Sequence, residues 1–188
     1  MLDKHVTPIE QVIALVDEIC TANKLGYAVI GGIAATVHGS ARTTIDVDLI
    51  VQTDISTLDV VYRAFTSEFV PVKQNPLEFF NQYFVLPVIH NTMKVKVDVS
   101  AALSGFEHTA LKRAKRLPFG SVSAVFCSPE DLILFKLVAN RERDLVDVKD
   151  IIARNKHLLD QSYLRTTAKQ FAEVERSDVL DNLERFLR

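Results

Sequence analysis

Hydrophobic and polar positions alternate most cleanly over residues 93–100, MKVKVDVS. Val95, Val97 and Val99 fall on one side and Lys94, Lys96, Asp98 and Ser100 on the other, which predicts a half-buried strand. Residues 45–51 show the same period: Asp46, Asp48 and Ile50 share one face, and Ile45, Val47, Leu49 and Val51 the other. A short apolar run at residues 27–30 predicts another strand, ended by Gly31-Gly32. One or two helical turns follow over residues 33–38 and stop at Gly39.

Elsewhere the period is helical. Val12, Ile13, Val16, Ile19 and Cys20 recur at helix spacing behind Thr7-Pro8-Ile9-Glu10, a capping box with proline at the first position, and Gly26 is read as the stop. Asp54 or Ser56 opens a helix to about residue 69 with Leu58, Val61, Tyr62 and Phe65 as its buried stripe. Residues 70–72 predict a short strand broken by Asn75-Pro76. Residues 84–89 predict another, near a sheet edge because of Pro87, and joined to residues 93–100 through the turn His90-Asn91-Thr92. A short basic-sided helix at 106–114 and an irregular hairpin at 116–127 come next. Ser128-Pro129-Glu130-Asp131 then starts a helix expected to run unbroken to about Ile152. Residues 158–188 predict one or two amphipathic helices, with Leu164, Phe171, Val174, Leu180, Leu183 and Phe186 apolar.

Composition narrows the class. With 188 residues and 48% hydrophobic content, the chain suits one domain, or one domain with a helical appendage, and is no disordered polymer. The formal net charge of −2 gives no global basic field for nucleic acid, although His108 to Arg116 carries Lys112, Arg113, Lys115 and Arg116 as a local basic patch. The two cysteines, Cys20 and Cys127, lie far apart in apolar surroundings and read as buried thiols. No hydrophobic signal core and no apolar run near the ~20 residues of a membrane span are evident, so a soluble, cytoplasmic protein without membrane partners is expected.

Candidate chemistry sits on the alternating strands. Asp46 and Asp48 point the same way two residues apart and repel unless a cation lies between them. Asp is depleted from strands, so the pair asks for a metal, although Gly31-Gly32 alone would be an ordinary turn. Asp98 either caps a turn or adds a third carboxylate at the same centre. On the predicted 128–152 helix, Lys136, Asn140, Arg143 and Asp147 fall within about 60° of one another at 100° per residue, with Asp144 at their border. They either face a ligand or form an internal salt-bridge ladder of Lys136 and Arg143 with Asp144 and Asp147. Arg42, in the loop before the carboxylate strand, is either a phosphate contact or a surface residue. His38 has no His or Cys companion to make it a metal ligand.

Strand, Gly31-Gly32, thirteen residues, Asp46-Val47-Asp48-Leu49 and a later strand with Asp98 resemble the nucleotidyltransferase superfamily, the fold of polymerase-beta-like enzymes. Glu130-Asp131-Leu132, Lys136, Ala139 and Arg143-Asp144-Leu145-x-Asp147 are similar to the downstream motif of abortive-infection (AbiEii/AbiGii-type) nucleotidyltransferase toxins. The chain is shorter than the larger toxins, and its Lys136-to-Arg143 spacing is compressed. The resemblance spans about residues 27–152. It implies an α/β (α+β) nucleotidyltransferase fold, a mixed sheet with helices packed on it, over residues 1–154, with C-terminal helices over 155–188.

It also implies transfer of a nucleoside monophosphate from an NTP, ATP among them, to an acceptor hydroxyl on RNA (a tRNA end), protein or a small molecule. Asp46, Asp48 and Asp98 would be catalytic and hold two Mg²⁺ ions, or Mn²⁺, with Asp98 both a metal ligand and the acceptor of the hydroxyl proton. Gly31 and Gly32 would let the backbone approach the nucleotide phosphates, with Arg42, Lys136 and Arg143 contributing positive charge. A toxin–antitoxin or phage-defence setting with a cognate protein partner follows from the resemblance alone. The rival reading is a non-catalytic regulator that binds a nucleotide or partner on the same fold.

Overall fold

The computed structural model describes residues 6–188. Residues 1–5, where the expectation of a chain without a signal core begins, lie outside that range. Two compact units are formed, one of Met1–Ile33 with Thr44–Cys127, the other of Ala34–Thr43 with Ser128–Arg188.

The first unit is built on a seven-stranded mixed sheet. Its strands are β1 (Tyr27–Ile30), β2 (Val47–Gln52), β3 (Phe69–Pro71), β4 (Val85–His90), β5 (Lys96–Ala102), β6 (Lys115–Phe119) and β7 (Val122–Phe126), ordered β3-β4-β5-β2-β1-β7-β6. β2 pairs antiparallel with β1 and parallel with β5. The central strands bury both faces, so Val29, Leu49, Ile50, Val97 and Val99 are all inaccessible and form the core. Ile50 is therefore as buried as the residues opposite it, where alternation placed it with the carboxylates.

Helix α1 (Pro8–Ala22) packs on β7 and begins with the expected capping box: Thr7 Oγ accepts from the Glu10 amide, and Glu10 accepts from the Thr7 amide at 2.6 Å. It ends four residues before Gly26. Asn23 caps it and Lys24 takes the left-handed conformation, while the Gly26 carbonyl accepts from Gln52 across β1–β2. A single 3₁₀ turn at Ile55–Thr57 leads into α3 (Leu58–Thr66). The helix α4 (Pro76–Tyr83) was not legible, because Asn75-Pro76 is both a strand breaker and a helix start. The β4–β5 turn forms as expected around His90, whose Nδ1 accepts from the Thr92 and Met93 amides. α5 (Gly105–Arg113) follows, and β6–β7 is a regular hairpin rather than an irregular one. Cys20 and Cys127 are free and buried, and burial pushes the Cys20 thiol up to about 12.

α2 (Gly31–Val37) carries the chain from the first unit into the second, whose other helices are α6 (Pro129–Ala139), α7 (Glu142–Asn155), α8 (Gln161–Ala172) and α9 (Ser177–Leu187). The predicted unbroken helix is two helices. Asn140 is left-handed at φ 51° and its amide donates to the Lys136 carbonyl, a stop that asparagine tolerates better than most residues. The expected boundary after residue 154 falls inside this unit, since α8 and α9 pack on α6 and α7. Leu164, Val179 and Leu183 are buried there, whereas Val174, expected inside, is 66% exposed between the last two helices. No helix among the described residues is long and apolar enough to cross a membrane.

Candidate active site

The glycine pair has a steric cause inside the first unit. Gly31 sits at φ +68°, and a Cβ there would collide with the Asp48 carboxylate. A Cβ on Gly32 would lie 2.9 Å from Thr44 Cγ2. The two glycines thus clear room for the segment that leads into and carries the carboxylates.

Asp48 and Asp98 are register partners across the parallel β2–β5 pair, so both project from the same face of neighbouring strands about 4.8 Å apart. Both are half-buried. On its other side Asp48 is opposite Ile30, the last residue before the glycines. Asp46 lies just before β2 and is exposed, as is Ile45 at 72%, because the strand starts at Val47 and not at residue 45. Burial raises the Asp98 pKa above the ordinary carboxylate value and the Asp46 charge raises it further, against weaker opposition from Lys96 and Lys73. The structure therefore brings Asp46, Asp48 and Asp98 to one end of the central strands.

Oxygen donors of this kind suit a hard divalent cation, and a cation would relieve the repulsion that Asp98 feels. Among the described residues no three His, Cys, Asp or Glu side chains are gathered closely enough to hold an ion as they stand. The fit is one of donor chemistry and charge.

Arg42, Lys136 and Arg143 belong to the second unit. Lys136 is buried at 3% exposure, and its Nζ donates to Asp147 Oδ2 at 2.6 Å and to Asp144 Oδ1 at 3.2 Å across the α6–α7 bend. Arg42 donates to Asp147 Oδ2 at 3.1 Å, Ser40 Oγ to Asp147 Oδ1 at 2.8 Å, and Arg141 Nε to Asp144 Oδ2 at 2.5 Å. Burial raises the Asp144 pKa, but Arg141 and Lys136 outweigh it and leave the carboxyl below its ordinary value. Lys136 and Arg42 are thus brought together on Asp147, and the internal ladder exists with Arg141 and Arg42 in the place expected of Arg143. Arg143 is exposed. The sequence reading missed Ser40 and Arg141. Arg141 carried a local signal as the N-cap residue of the charge-rich α7, whereas Ser40 lies in the loop after α2, a helix without charged residues, and had none. The His38 carbonyl accepts from Asn155 at 2.8 Å, in keeping with a structural role.

A family description, "Nucleotidyltransferase of unknown function (DUF6036)", matches residues 7–185. No match is found among curated proteins. Among solved structures, an antigenic nucleotidyltransferase-like protein from Paracoccidioides brasiliensis aligns with a TM-score of 0.54 at 19% identity, over 94% of this chain and 92% of that one. The antibiotic-resistance factor ANT(2″)-Ia gives 0.58 at 12% identity, over 90% and 97%. The lincosamide antibiotic adenylyltransferase LnuA, solved with lincomycin bound, gives 0.51 at 13% identity, over 76% and 95%. At these identities the likeness is one of fold.

Proposed function

This chain belongs to the DUF6036 nucleotidyltransferases, and from that premise we propose that Asp46, Asp48 and Asp98 are the centre at which a nucleoside monophosphate passes from an NTP to an acceptor hydroxyl. The observation that carries the reading is the pairing of Asp48 with Asp98 across β2 and β5, with the Asp46 charge acting on Asp98. The three side chains would hold Mg²⁺, two ions by resemblance, which when bound offset phosphate charge and acidify the acceptor hydroxyl. Asp98, whose pKa burial and the Asp46 charge raise, takes the hydroxyl proton as the hydroxyl displaces pyrophosphate. Asp48, seated against Gly31, fixes the position of the carboxylate strand relative to the start of α2, where the nucleotide phosphates approach the backbone. Lys136 and Arg42 act through Asp147, to which both are bound, and Arg143 is left to solvent or substrate.

Acceptors on RNA, protein and small molecules are all chemically open. A small-molecule hydroxyl comes first for testing, since two proteins of the same fold are described by their antibiotics. A toxin–antitoxin or phage-defence setting with a cognate protein is the biological context suggested by the abortive-infection motif.

The test is transfer of label from each α-labelled NTP, with Mg²⁺ and a cell extract, by the native protein and by Asp48→Asn. Label entering one acceptor fraction, reduced at least about a thousandfold in the folded variant, is the expected result. Equal labelling by both proteins would sink the assignment.

A further inference from the structure

A cleft of about 850 Å³ in the first unit lies at the opposite end of β1 and β2 from the carboxylates. Gly26, Tyr27 and Gln52 form its base, four residues along β2 from Asp48, which is about 13 Å at 3.3 Å per residue. A ligand seated there does not reach the transfer centre.

Three kinds of surface meet in this cleft. Lys24, from the end of α1, and Lys112, from the last turn of α5, line it as exposed amines, and neither is ion-paired to a described carboxylate. His108 stands one helical turn before Lys112 on the same face of α5. Arg116 also lines the cleft but is engaged by Asp17 through 2.8 and 2.9 Å contacts. Leu25, Leu111 and Val125 supply apolar wall, and Asp54 is its one lining carboxylate. A second hollow of about 570 Å³ shares Thr53, Asp54 and His108 and adds the side chains of Ile55 and Leu103.

Two unpaired lysines act as point charges for a phosphate. An exposed carboxylate beside threonine hydroxyls accepts from sugar hydroxyls. Apolar walls next to an imidazole accommodate a flat base, and the volume lies within the range of small-molecule sites. We propose that this cleft is a second ligand site, for a nucleoside phosphate bound away from the transfer centre, with Lys24 and Lys112 on the phosphate, Asp54 on the ribose and the Leu103–Ile55 hollow around the base. Such a site lets a nucleotide other than the one being transferred regulate the enzyme.

The test is an amide NMR titration of the full chain with 5′-AMP in EDTA, where a metal-dependent transfer centre does not compete. Saturable shifts at Gly26, Gln52 and Leu111 are expected. Affinity should fall at least about tenfold in Lys24→Glu/Lys112→Glu, and in the single Lys112→Ala variant to a smaller extent, while Asp46→Asn/Asp48→Asn binds as the native protein does. No saturable shift at these amides, shifts centred on residues 46–48 and 96–98, or undiminished binding by the charge-reversed protein would overturn the proposal. A single-stranded RNA decamer binding more tightly than 5′-AMP through the same amides would replace the mononucleotide by a polynucleotide backbone and overturn the assignment of the occupant.

Discussion

Asp98 in the first unit, and Asp144 and Asp147 in the second, are the same side chain in different electrostatic settings. Asp144 and Asp147 are 2% and 1% exposed, and each is met by two cations: Lys136 and Arg141 for the one, Lys136 and Arg42 for the other. Asp98 is half-buried with another carboxylate as its chief charged neighbour, and its pKa moves up where that of Asp144 moves down. A buried charge matched within its own fold contributes to holding helices together. A carboxylate whose chief charged neighbour is another carboxylate, as at Asp98, has no such match within the fold, and on the proposed reading a bound cation supplies it. Charge matching separates the two roles, and residue type does not.

The comparison breaks most visibly at Lys136. Lys136→Met should cost about 3 kcal/mol in urea denaturation, the low end for a broken buried pair because Arg141 and Arg42 remain on the two aspartates. Unchanged stability with a raised KM for NTP would instead make Lys136 a phosphate ligand and erase the contrast. A smaller effect of opposite sign is expected at Asp98. Its raised pKa means the ionised form is penalised in the fold, above that raised value, and the penalty vanishes below the ordinary 3.8. Asp98→Asn should therefore lose transfer and yet unfold at slightly higher urea at pH 7, a gain that disappears as pH falls toward 3.8.

The smallest effect is at Glu10, a carboxylate satisfied by hydrogen bonds rather than cations. It accepts from the Thr7 amide, from Thr7 Oγ at 2.7 Å and from the Ser121 amide at 2.7 Å, and these bonds lower its pKa from 4.5 to about 2. A depressed pKa contributes stability above 4.5 that is lost as pH falls toward 2. Glu10→Gln should flatten the dependence of the urea midpoint on pH between those values while leaving transfer unchanged. A midpoint that falls with pH as steeply as in the native protein would contradict it.

Much of the fold was legible where the forces are local. The Thr7–Glu10 and Ser128–Asp131 caps form as read, because a cap joins residues three apart whatever the rest of the chain does. The β5 alternation also holds, with Val95, Val97 and Val99 buried and Lys94 and Lys96 exposed. The site was legible in part. Asp46 and Asp48 were singled out by the scarcity of Asp in strands and Asp98 by its place on a second alternating strand, whereas Lys136 was aligned with Asn140 and Arg143 on a helix that ends at Asn140. A single left-handed residue redirects everything after it, and no periodicity reports that turn.

What the sequence by itself determined, then, is each element with a strong cap or clean period, together with the glycine pair and the acidic strand that follows it. Only the tertiary structure decided that Asp48 stands against Gly31 and beside Asp98, that Gly120 must lack a Cβ to leave room for Glu10, and that Asp147 gathers Ser40, Arg42 and Lys136. The physical reason is range. Caps and alternation act over two to four residues, while the pairing of β2 with β5 and the matching of buried charges join positions 50 to more than 100 residues apart, so their partners are chosen by packing and by the cost of an unmatched charge.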